Sequence, residues 1–419
     1  MQVAQKYNLI VVGGGPAGLA AAASASDNGV ENILILERGS RLGGILKQCI
    51  HHGFGIHYFG QELTGPEYAN RFIELVKERG IEYKTGTMVL DITEPKKVIA
   101  VNQEDGLLEL ETEAVIFAMG CRERPRGALS IPGTRPAGIF TAGAAQKMIN
   151  VNGYHVGNEI IIFGSGDIGL IMARRLTLEG KKVLAVVERM PYSNGLTRNI
   201  VQCLDDFNIP LLLSHTITEI RGKDRVSSVV VSAVDEQYNP IAGSEREYKC
   251  DTVLLAVGLI PEFELGKRAN ILLDPRTNGP LVNDAMQTSL EWVFACGNVL
   301  HVHDLVDFVT MESQKAGLAA ARYILQGYSP KKAVAVAYAS PVSYVVPQKV
   351  ALGEGEAELY FRTDRIVGEA EIVVCSGERE LLLQKAPRIN PSEMQRVVID
   401  KQKLDEAEPK LEIRIEGEF

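Results

Sequence analysis

Hydrophobic and polar positions follow two different patterns along the chain. Up to about residue 330, short runs of Val, Ile and Leu lead into glycine turns and then into stretches of small residues, as at residues 8–18, NLIVVGGGPAG, followed by LAAAASAS. Each run predicts a buried strand, and the small residues predict a helix packed closely on the sheet. From residue 333 to 419 the runs alternate instead, as in AELYFR, EAEIVVC, ELLLQKA, RVVID and KLEIRIE. The pattern therefore predicts an α/β fold followed by a C-terminal antiparallel β module.

The first glycine turn has the spacing Gly13-x-Gly15-x-x-Gly18, which is typical of a dinucleotide-binding site. The glycines allow a tight turn and a close approach to a pyrophosphate, whose charge lies at the N-terminus of the helix. The next strand, NILILE, ends in Glu37, nineteen residues after Gly18, where an acid can accept both ribose hydroxyls. The candidate nucleotide contacts here are Gly13, Gly14, Gly15, Pro16, Ala17, Gly18, Glu37 and Arg38.

The same plan recurs at residues 159–169, EIIIFGSGDIG, and the following strand, KVLAVVE, again ends in an acid nineteen residues after the last glycine. Each copy closes with a strand and a glycine, AVIFAMG and TVLLAVG. Two unrelated glycine turns would not explain this match, so we expect two Rossmann-like dinucleotide-binding domains. The closing strand adds Ala118 and Gly120 to the first set, and the second set comprises Gly164, Gly166, Asp167, Ile168, Gly169, Glu188, Arg189 and Gly258.

Over residues 5–330 these paired motifs resemble the pyridine-nucleotide oxidoreductases related to thioredoxin reductase, which are flavoproteins with two dinucleotide-binding domains. The resemblance implies that the first copy binds FAD, and that the second copy is inserted into it and binds NAD(P)H. The return segment EWVFACGNVL has Gly297-Asn298 where the family has Gly-Asp, and an asparagine can still hydrogen-bond the ribityl chain of the flavin. The implied domains are an FAD domain at 1–123 and 258–332, an NAD(P) domain at 124–257 and a β-rich module at 333–419.

The segment GCRERPRGALSIPGTRPAGIFTAGAAQ, residues 120–146, resembles a narrower group of this superfamily. The group contains FAD subunits of opine, proline and sarcosine dehydrogenases or oxidases, hydrogen cyanide synthase, and the NAD(FAD)-dependent dehydrogenases associated with glycerol-3-phosphate dehydrogenase. Members usually work beside a second flavoprotein subunit, and several carry or borrow an iron–sulfur extension. The tail of this chain has one cysteine, Cys375. The resemblance therefore implies a partner flavoprotein dehydrogenase, with any iron–sulfur cluster in a separate polypeptide.

The chain lacks the cysteine pairs of the family. Thioredoxin reductases carry a CxxC motif where this chain has TAGAAQ (141–146), and the glutathione-reductase branch has a cysteine pair where this chain has only Cys49. A dithiol relay needs two thiols within bonding reach. We therefore do not expect disulfide reduction to be the reaction.

Residues 48–57, QCIHHGFGIH, contain a cysteine and three histidines and lie just after Gly43-Gly44. We add Gly43, Gly44, Gly297 and Asn298 to the candidate flavin contacts. In the fold that the resemblance implies, this segment and the HVHD segment at 301–304 both border the flavin ring. Imidazoles there would suit proton transfer and would stabilise a reduced, anionic flavin. The candidate catalytic residues are Cys49, His51, His52, His57, His301 and His303.

Three alternatives remain open for these residues. Each histidine could have a purely structural role. The cysteine and histidines of the two segments could bind a metal, since both are good zinc ligands, but the spacing matches no recognisable zinc motif and a metal there would compete with hydride chemistry, so we expect none. Cys49 could be a lone redox thiol.

Composition narrows the classes of partner. The net charge of -9 and the absence of Lys and Arg clusters argue against a nucleic-acid surface. Six scattered cysteines suit a reducing compartment. The apolar stretch from Leu9 to Ala23 is shorter than the ~20 residues that a bilayer requires, and a glycine turn interrupts it. We therefore expect a cytoplasmic protein with no membrane span.

The function that these patterns predict is hydride exchange between NAD(H) and FAD, in an oligomeric subunit that is coupled to a partner dehydrogenase acting on glycerol 3-phosphate, an amino acid or an opine. One alternative is a self-contained NADH oxidase or reductase of a small acceptor. Another is a non-catalytic scaffold subunit that keeps FAD for stability. For the β module there are two alternative roles: it binds a partner subunit, or it covers the flavin domain.

Overall fold

The computed structural model describes residues 5–330, 332–353, 355–404 and 410–418, so part of the predicted C-terminal module, at 354, 405–409 and 419, lies outside the described residues. The chain forms two compact units. One combines the chain up to Cys121 with the chain from Pro261 onwards, and the other runs from Arg122 to Ile260. In the described part of the chain, no helix is both long enough and apolar enough to cross a lipid bilayer.

The first part of the larger unit is an α/β arrangement. Its elements are β1 (Gln5–Val12), α1 (Pro16–Asp27), β2 (Ile33–Leu36), β3 (His52–Phe54), β4 (Leu63–Thr64), α2 (Gly65–Glu78), β5 (Glu82–Lys84), β6 (Met88–Thr93), β7 (Lys97–Asn102) and β8 (Gly106–Phe117). Proline suits the first position of α1 because the N–H that it lacks would have no partner inside the helix. Thr64 and Glu67 form a capping box at the start of α2.

The sheet of this unit has the strand order β5-β2-β1-β8-β7-β6. Strand β1 pairs in parallel with β2 and β8, and β2 pairs in parallel with β5. All four residues of β2 are buried, as expected for a parallel strand covered on both faces. The carboxyl ends of β1 and β2 therefore lie side by side, which places the first glycine turn next to Glu37.

The second unit begins within β9 (Cys121–Glu123) and ends within β18 (Leu259–Pro261), and these two strands pair. Its other elements are β10 (Ile139–Thr141), α3 (Ala142–Asn150), β11 (Glu159–Phe163), α4 (Asp167–Leu178), β12 (Lys182–Val187), α5 (Thr197–Cys203), β13 (Leu211–Leu212), β14 (His215–Gly222), β15 (Val226–Ala233), β16 (Arg246–Lys249) and β17 (Thr252–Leu255).

The main sheet of the second unit is parallel, with the order β10-β17-β11-β12-β13, and a three-stranded antiparallel sheet forms from β14, β15 and β16. Alternate residues of β11 enter two different cores. Ile160 and Ile162 belong to one core, and Ile161 and Phe163 belong to the other. This alternation is typical of a sheet covered on both faces.

The chain then returns to the larger unit through α6 (Glu264–Arg268), β19 (Val293–Ala295) and α7 (Val306–Gln326). Strand β19 pairs in parallel with β8 and so extends the first sheet. Helix α7 lies against α1 with little space between the backbones, since a Cβ at Gly317 would lie 2.3 Å from the Ala21 carbonyl oxygen. The segment between β19 and α7 carries Asn298 and the histidines of HVHD.

The C-terminal module is all β. Its strands are β20 (Ala333–Tyr338), β21 (Val342–Val346), β22 (Lys349–Ala351), β23 (Glu356–Thr363), β24 (Val367–Ser376), β25 (Arg379–Ile389), β26 (Gln395–Asp400) and β27 (Leu411–Glu418). They form two sheets, ordered β22-β20-β27-β24-β25 and β21-β23-β26, whose apolar side chains share one core. The pairing of β20 with β27 is parallel, and the other pairings are antiparallel as predicted.

The module belongs to the same compact unit as the first sheet. Val346 on β21 is part of the hydrophobic core that surrounds β1 and β8. Lys401 forms an ion pair with Asp284 at 3.0 Å, and the Gln348 side chain donates to Asp274 at 2.8 Å. The module therefore covers part of the larger unit.

Candidate functional site

The first glycine turn has the backbone geometry that its spacing predicts. Gly13 has a φ of +108°, and a Cβ there would lie 2.4 Å from the carbonyl oxygen of Ala118, so only glycine fits between β1 and β8. A Cβ at Gly18 would lie 1.8 Å from the Gly13 carbonyl oxygen, which explains how closely α1 packs on the strand. At Gly15, in contrast, the nearest atom would be 3.8 Å away. Open space therefore lies in front of Gly15, at the N-terminus of α1.

Glu37 fixes the other side of this turn. One carboxylate oxygen accepts from the Gly14 N–H at 2.8 Å, and the other accepts from the Gly39 N–H at 2.6 Å. The side chain is half-buried, and a carboxylate has further lone pairs with which to accept ribose hydroxyls. Arg38 is exposed and lies 3.6 Å from Glu262. Gly43 and Gly44 both have positive φ values, and a Cβ at Gly44 would lie 2.8 Å from Gly15.

These features fit an FAD pyrophosphate and ribose. The open position at Gly15 offers room and unpaired helix N–H groups for the phosphates. Pro16 and Ala17 form the first turn of α1, and Gly120 and Gly297 both have positive φ values at the ends of the neighbouring strands. FAD would be held by the predicted residues of the first copy.

The second turn repeats the geometry. Gly164 has a φ of +101°, and a Cβ there would lie 2.1 Å from the Ala256 carbonyl oxygen. A Cβ at Gly169 would lie 2.6 Å from the Gly164 carbonyl oxygen, whereas one at Gly166 would meet nothing closer than 4.0 Å. Gly258 has a φ of +98° just after the closing strand. The space in front of Gly166 fits a second dinucleotide.

Glu188 is held more firmly than Glu37. Its carboxylate accepts from the Ser165 N–H at 3.0 Å, the Ser165 hydroxyl at 2.7 Å and the Met190 N–H at 2.8 Å, and only 5% of the residue is exposed. Arg189 is exposed and lies over the ring of Tyr238 at 5.0 Å. The second copy thus has a fixed, buried acid beside the expected ribose position.

Asp167 and Ile168 begin α4. The Asp167 carboxylate accepts from the Leu196 N–H at 2.9 Å and from the Asn199 side chain at 2.7 Å. Ile168 is half-buried against the core. Asp167 therefore ties the start of the helix to a neighbouring loop, a role that the glycine motif did not predict.

The segment with the first histidines lies on the surface of the larger unit. His52 and His57 are exposed and His51 is half-buried. His57 stacks on Phe308 with 5.6 Å between ring centroids, and the N–H groups of Gly55 and Tyr58 donate to Asp307 at 3.1 and 2.8 Å. The start of α7 therefore positions this segment.

Cys49 follows a short 3-10 helix, Gly44–Gln48. Burial raises the pKa of its thiol to about 12. A thiol with this pKa carries almost no thiolate near neutral pH, which disfavours the alternative of a lone redox cysteine. The six cysteines all lie in the described part of the chain, and no disulfide bond joins any two of them.

His301 and His303 are buried, unlike the first group, and converge on one acid. Their Nε2 atoms lie 2.9 and 3.2 Å from the same carboxylate oxygen, Oε2 of Glu312, and the two ring centroids are 4.3 Å apart. The other oxygen of Glu312 accepts from the Gly297 N–H at 2.7 Å. The three residues, which we call the buried triad, link the HVHD segment to the second turn of α7 and to the Gly297-Asn298 turn.

The protonation of the buried triad follows from burial and mutual charge. Burial, with a smaller effect of His303, lowers the pKa of His301 to about 4. Burial alone would raise the pKa of Glu312, but the two imidazoles outweigh it and hold that pKa below its usual range. Glu312 is therefore ionised at neutral pH and His301 is neutral.

Asn298 supports the same loop. Its side-chain oxygen accepts from the His303 N–H at 3.1 Å, and its amide nitrogen lies 3.7 Å from the sulfur of Cys121. The side chain is half-buried. It therefore positions the HVHD backbone, and the predicted contact with the ribityl chain stays a prediction.

The C-terminal module clamps the HVHD segment from the other side. The Arg362 guanidinium on β23 pairs with Asp304 and donates to the Val302 carbonyl at 3.1 Å. Asp304 also accepts from the Met394 N–H at 2.7 Å. The module thus fixes the loop that joins β19 to α7.

Sequence reasoning did not identify Glu312, Asp307 or Arg362. A signal for Glu312 was present, because it falls on the buried face of α7 together with Val309, Ser313 and Ala316. An acid at such a position needs a partner. The sequence around Arg362 does not indicate its partner, because Asp304 lies 58 residues away along the chain.

Comparison with known proteins relates this site to a family. Residues 7–321 match the family described as pyridine nucleotide-disulphide oxidoreductase. The matched range contains both glycine turns and the buried triad, and it ends before β20, so the C-terminal module lies outside it.

Individual relatives are distant. The chain is 27% identical over 311 residues to the NAD(P)H sulfur oxidoreductase (CoA-dependent) of Pyrococcus abyssi, covering 72% of this chain and 64% of the relative. It is 23% identical over 313 residues to an opine oxidase subunit of Agrobacterium tumefaciens, covering 70% of this chain and 61% of the relative. The chain thus spans less than two thirds of either relative. The fold is similar to that of thioredoxin reductase from Lactococcus lactis, with a TM-score of 0.63 at 22% identity, covering 76% of this chain and 99% of that one.

Proposed function

The chain belongs to the pyridine nucleotide-disulphide oxidoreductase family, and we propose that it is an oxidoreductase that uses FAD and NAD(P)H and exchanges a hydride between NAD(H) and FAD. The observation that carries the proposal is the repeated nucleotide site. Each unit has a glycine turn with open space at its second glycine and an acid at the end of the next strand, Glu37 or Glu188. A chain with one such site would hold one nucleotide, whereas hydride exchange needs two.

When bound, FAD would supply the redox chemistry as a two-electron carrier. The residues of this chain bind and orient the two nucleotides. The first glycine turn would hold the FAD pyrophosphate at the N-terminus of α1, and the second would hold the pyrophosphate of NAD(H) at the N-terminus of α4. Glu37 and Glu188 would accept the ribose hydroxyls and so orient each nucleotide.

We further propose that the first histidine segment supplies protons. His51, His52 and His57 lie in a segment that Asp307 holds at the start of α7, and two of the three are exposed. Imidazole is the side chain best suited to proton transfer near neutral pH, and exposure gives it access to water. His301 and His303 belong to the buried triad, so we assign them a structural role in the HVHD segment.

Substitution of the exposed histidines tests this role. His52→Asn and His57→Asn should keep FAD content and melting temperature, because these side chains are exposed. If either imidazole moves a proton, the rate of flavin reduction by NADH should fall and its pH profile should change. If the rate of flavin reduction is unchanged across pH 6 to 8 in both variants and in His51→Asn, these residues do not supply protons.

For the electrons that leave the flavin, we propose a partner flavoprotein dehydrogenase subunit. The resemblance of residues 120–146 and the similarity to a protein named as one subunit of an opine oxidase support this part of the proposal. Cys49 is the only cysteine of the segment after Gly43-Gly44, and residues 141–146, TAGAAQ, contain none. Electrons would therefore leave by a route other than a dithiol.

Stopped-flow mixing of the FAD-loaded protein with NADH, first without and then with an acceptor, separates the hypotheses. Rapid loss of the visible flavin absorbance with slow return in oxygen or quinone would support a subunit that needs a partner. Fast turnover with oxygen or a quinone alone would favour a self-contained oxidase or reductase. No loss of absorbance would favour a scaffold subunit.

A further inference from the structure

The buried triad has the donor set of a metal site, although the sequence predicted none. We propose that His301, His303 and Glu312 bind one divalent transition-metal ion, with zinc or ferrous iron as the candidates. Two imidazole nitrogens and one carboxylate oxygen are ligands that both ions accept. The proposal concerns a site separate from the two nucleotide turns and does not depend on the proposed function.

The spacing of the ligand atoms fits a shared ion. Each residue of the triad offers one ligand atom, and these atoms all lie within 4.8 Å of one another. The two Nε2 atoms lie 2.9 and 3.2 Å from Oε2 of Glu312. Neighbouring ligands on one ion, each at about 2.1 Å from it, are about 3.0–3.4 Å apart. An ion can therefore replace the two hydrogen bonds with small movements of the side chains.

The charge of the triad also favours a cation. The Glu312 side chain is fully buried, and in the described part of the chain its ion-pair partners are the two histidines alone. A buried carboxylate is costly unless a positive charge lies beside it. A divalent ion bound by the carboxylate and both imidazoles would supply that positive charge.

The second nitrogen of each ring provides an independent observation. Nδ1 of His301 and Nδ1 of His303 are buried and have no hydrogen-bond partner among the described residues. If both Nε2 atoms donate to Glu312, both Nδ1 atoms keep buried lone pairs without a donor, which costs free energy. If both Nε2 atoms bind a metal instead, the proton of each ring lies on Nδ1.

Two tyrosine rings lie near the imidazoles, and neither tyrosine donates a hydrogen bond to an Nδ1 atom. The rings of Tyr344 and Tyr360 lie 5.7 to 6.1 Å from the two imidazoles, and aromatic faces can accept N–H groups weakly. The Tyr360 hydroxyl donates to Glu358 at 2.8 Å, and the Tyr344 hydroxyl contacts Arg362 and Met394. These hydroxyls are therefore engaged away from the imidazoles.

A metal here would act on the nearby turn through Glu312. One oxygen of Glu312 would bind the ion while the other accepts from the Gly297 N–H, which is the usual way in which a ligand carboxylate is held. The ion would then fix the HVHD segment on α7 and stabilise the Gly297-Asn298 turn. Its role would be structural, since the triad is closed to solvent.

Metal content tests the proposal directly. The FAD-loaded full-length protein, purified with a tag that contains no histidine, is dialysed against a chelator, incubated with Zn²⁺ or anaerobically with Fe²⁺, and desalted. Mass spectrometry of the metal should find about one ion per chain. Glu312→Gln removes the charge but keeps the size and an acceptor for Gly297, and its metal content should fall at least tenfold. His52→Asn, an exposed histidine outside the triad, is the matched control and should retain the ion.

If Glu312→Gln does not fold, the melting temperature of the wild-type protein with and without metal still tests the proposal. Zn²⁺ or Fe²⁺ added to the chelator-treated protein should raise the melting temperature in proportion to occupancy, because the ion binds only the folded state. Less than about a tenth of an ion per chain with either metal, together with an unchanged melting temperature, would overturn the proposal. Equal metal loss in His52→Asn would show binding at the surface segment and would overturn it too.

Discussion

Gly15 and Gly166 occupy equivalent positions in the two nucleotide turns, and neither needs glycine for its backbone. Their φ angles are -78° and -65°, which any residue adopts. A Cβ would lie 3.8 Å from its nearest neighbour at Gly15 and 4.0 Å at Gly166. The space in front of both residues is therefore available to a phosphate, and a side chain there would fill it without disturbing the fold.

Leucine at each position gives a matched pair of variants. Gly15→Leu should be folded but colourless, since the side chain takes the place of the FAD pyrophosphate. Gly166→Leu should remain yellow while its reduction by NADH slows by about 100-fold or more. Visible absorbance and stopped-flow kinetics measure both effects. If Gly15→Leu keeps its flavin, the first turn has been assigned to the wrong ligand.

Glu188 sets the expected preference between nicotinamide nucleotides. Its carboxylate is held beside the expected ribose by three donors and would repel a 2′-phosphate. Reduction by NADH should be faster than by NADPH by roughly tenfold or more at limiting nucleotide. Arg189 is the group that could reverse this order, so Arg189→Ala should weaken any residual use of NADPH. Equal or faster reduction by NADPH would contradict the assignment.

At the scale of elements, β23 holds the segment between β19 and α7. Arg362 on this strand is largely buried and contacts Asp304, Val302 and Tyr344. Arg365, three residues further on, forms an exposed pair with Asp364. Comparing substitutions of these two arginines therefore distinguishes the buried contact between the module and the HVHD segment from an exposed ion pair.

Arg362→Met should destabilise the protein by roughly 3 kcal/mol, because it leaves the Asp304 carboxylate without its buried partner. Arg365→Met should change stability little, since exposed ion pairs contribute little. Chemical denaturation of the two FAD-loaded variants provides the comparison. Similar stabilities would show that the clamp does not hold the HVHD segment.

Glu358 on β23 should make stability depend on acid pH. Burial alone would raise its pKa, but hydrogen bonds from Arg396 and Lys315 outweigh burial and lower the pKa to about 2. Because the folded-state pKa lies below the ordinary value, this stabilisation is present above about pH 4.5 and is lost as the pH falls towards 2. Wild type should therefore be more stable than Glu358→Gln at pH 6, and the difference should shrink between pH 4.5 and 2.5. A constant difference would show that the carboxylate is not preferentially ionised in the folded state.

The elements differ in how far the sequence predicts them. The strands of both sheets and of the module follow from runs and alternation of apolar residues, because burial on one or two faces imposes those patterns. The paired acids follow from the glycine spacing. The buried triad does not, since it depends on how α7 meets a loop that precedes it by only a few residues. The division of the five candidate histidines into a surface group and a buried pair also depends on that packing.

At the scale of the whole molecule, the two units each carry one nucleotide turn, and the C-terminal module shares a compact unit with the first. The module contributes Val346 to the core around the first sheet. It therefore stabilises the larger unit, which carries the proposed FAD site. If each turn binds its proposed nucleotide, hydride exchange requires both units, whereas FAD retention requires only the larger one.

An anaerobic titration of the FAD-loaded protein with NADH tests the central claim most directly. If the chain exchanges a hydride between NADH and FAD without a redox disulfide, the visible flavin absorbance should disappear as one NADH is added per FAD. No loss of absorbance, or an endpoint at two NADH per FAD, would contradict the account. The first result would exclude hydride exchange, and the second would reveal a further two-electron centre in the protein.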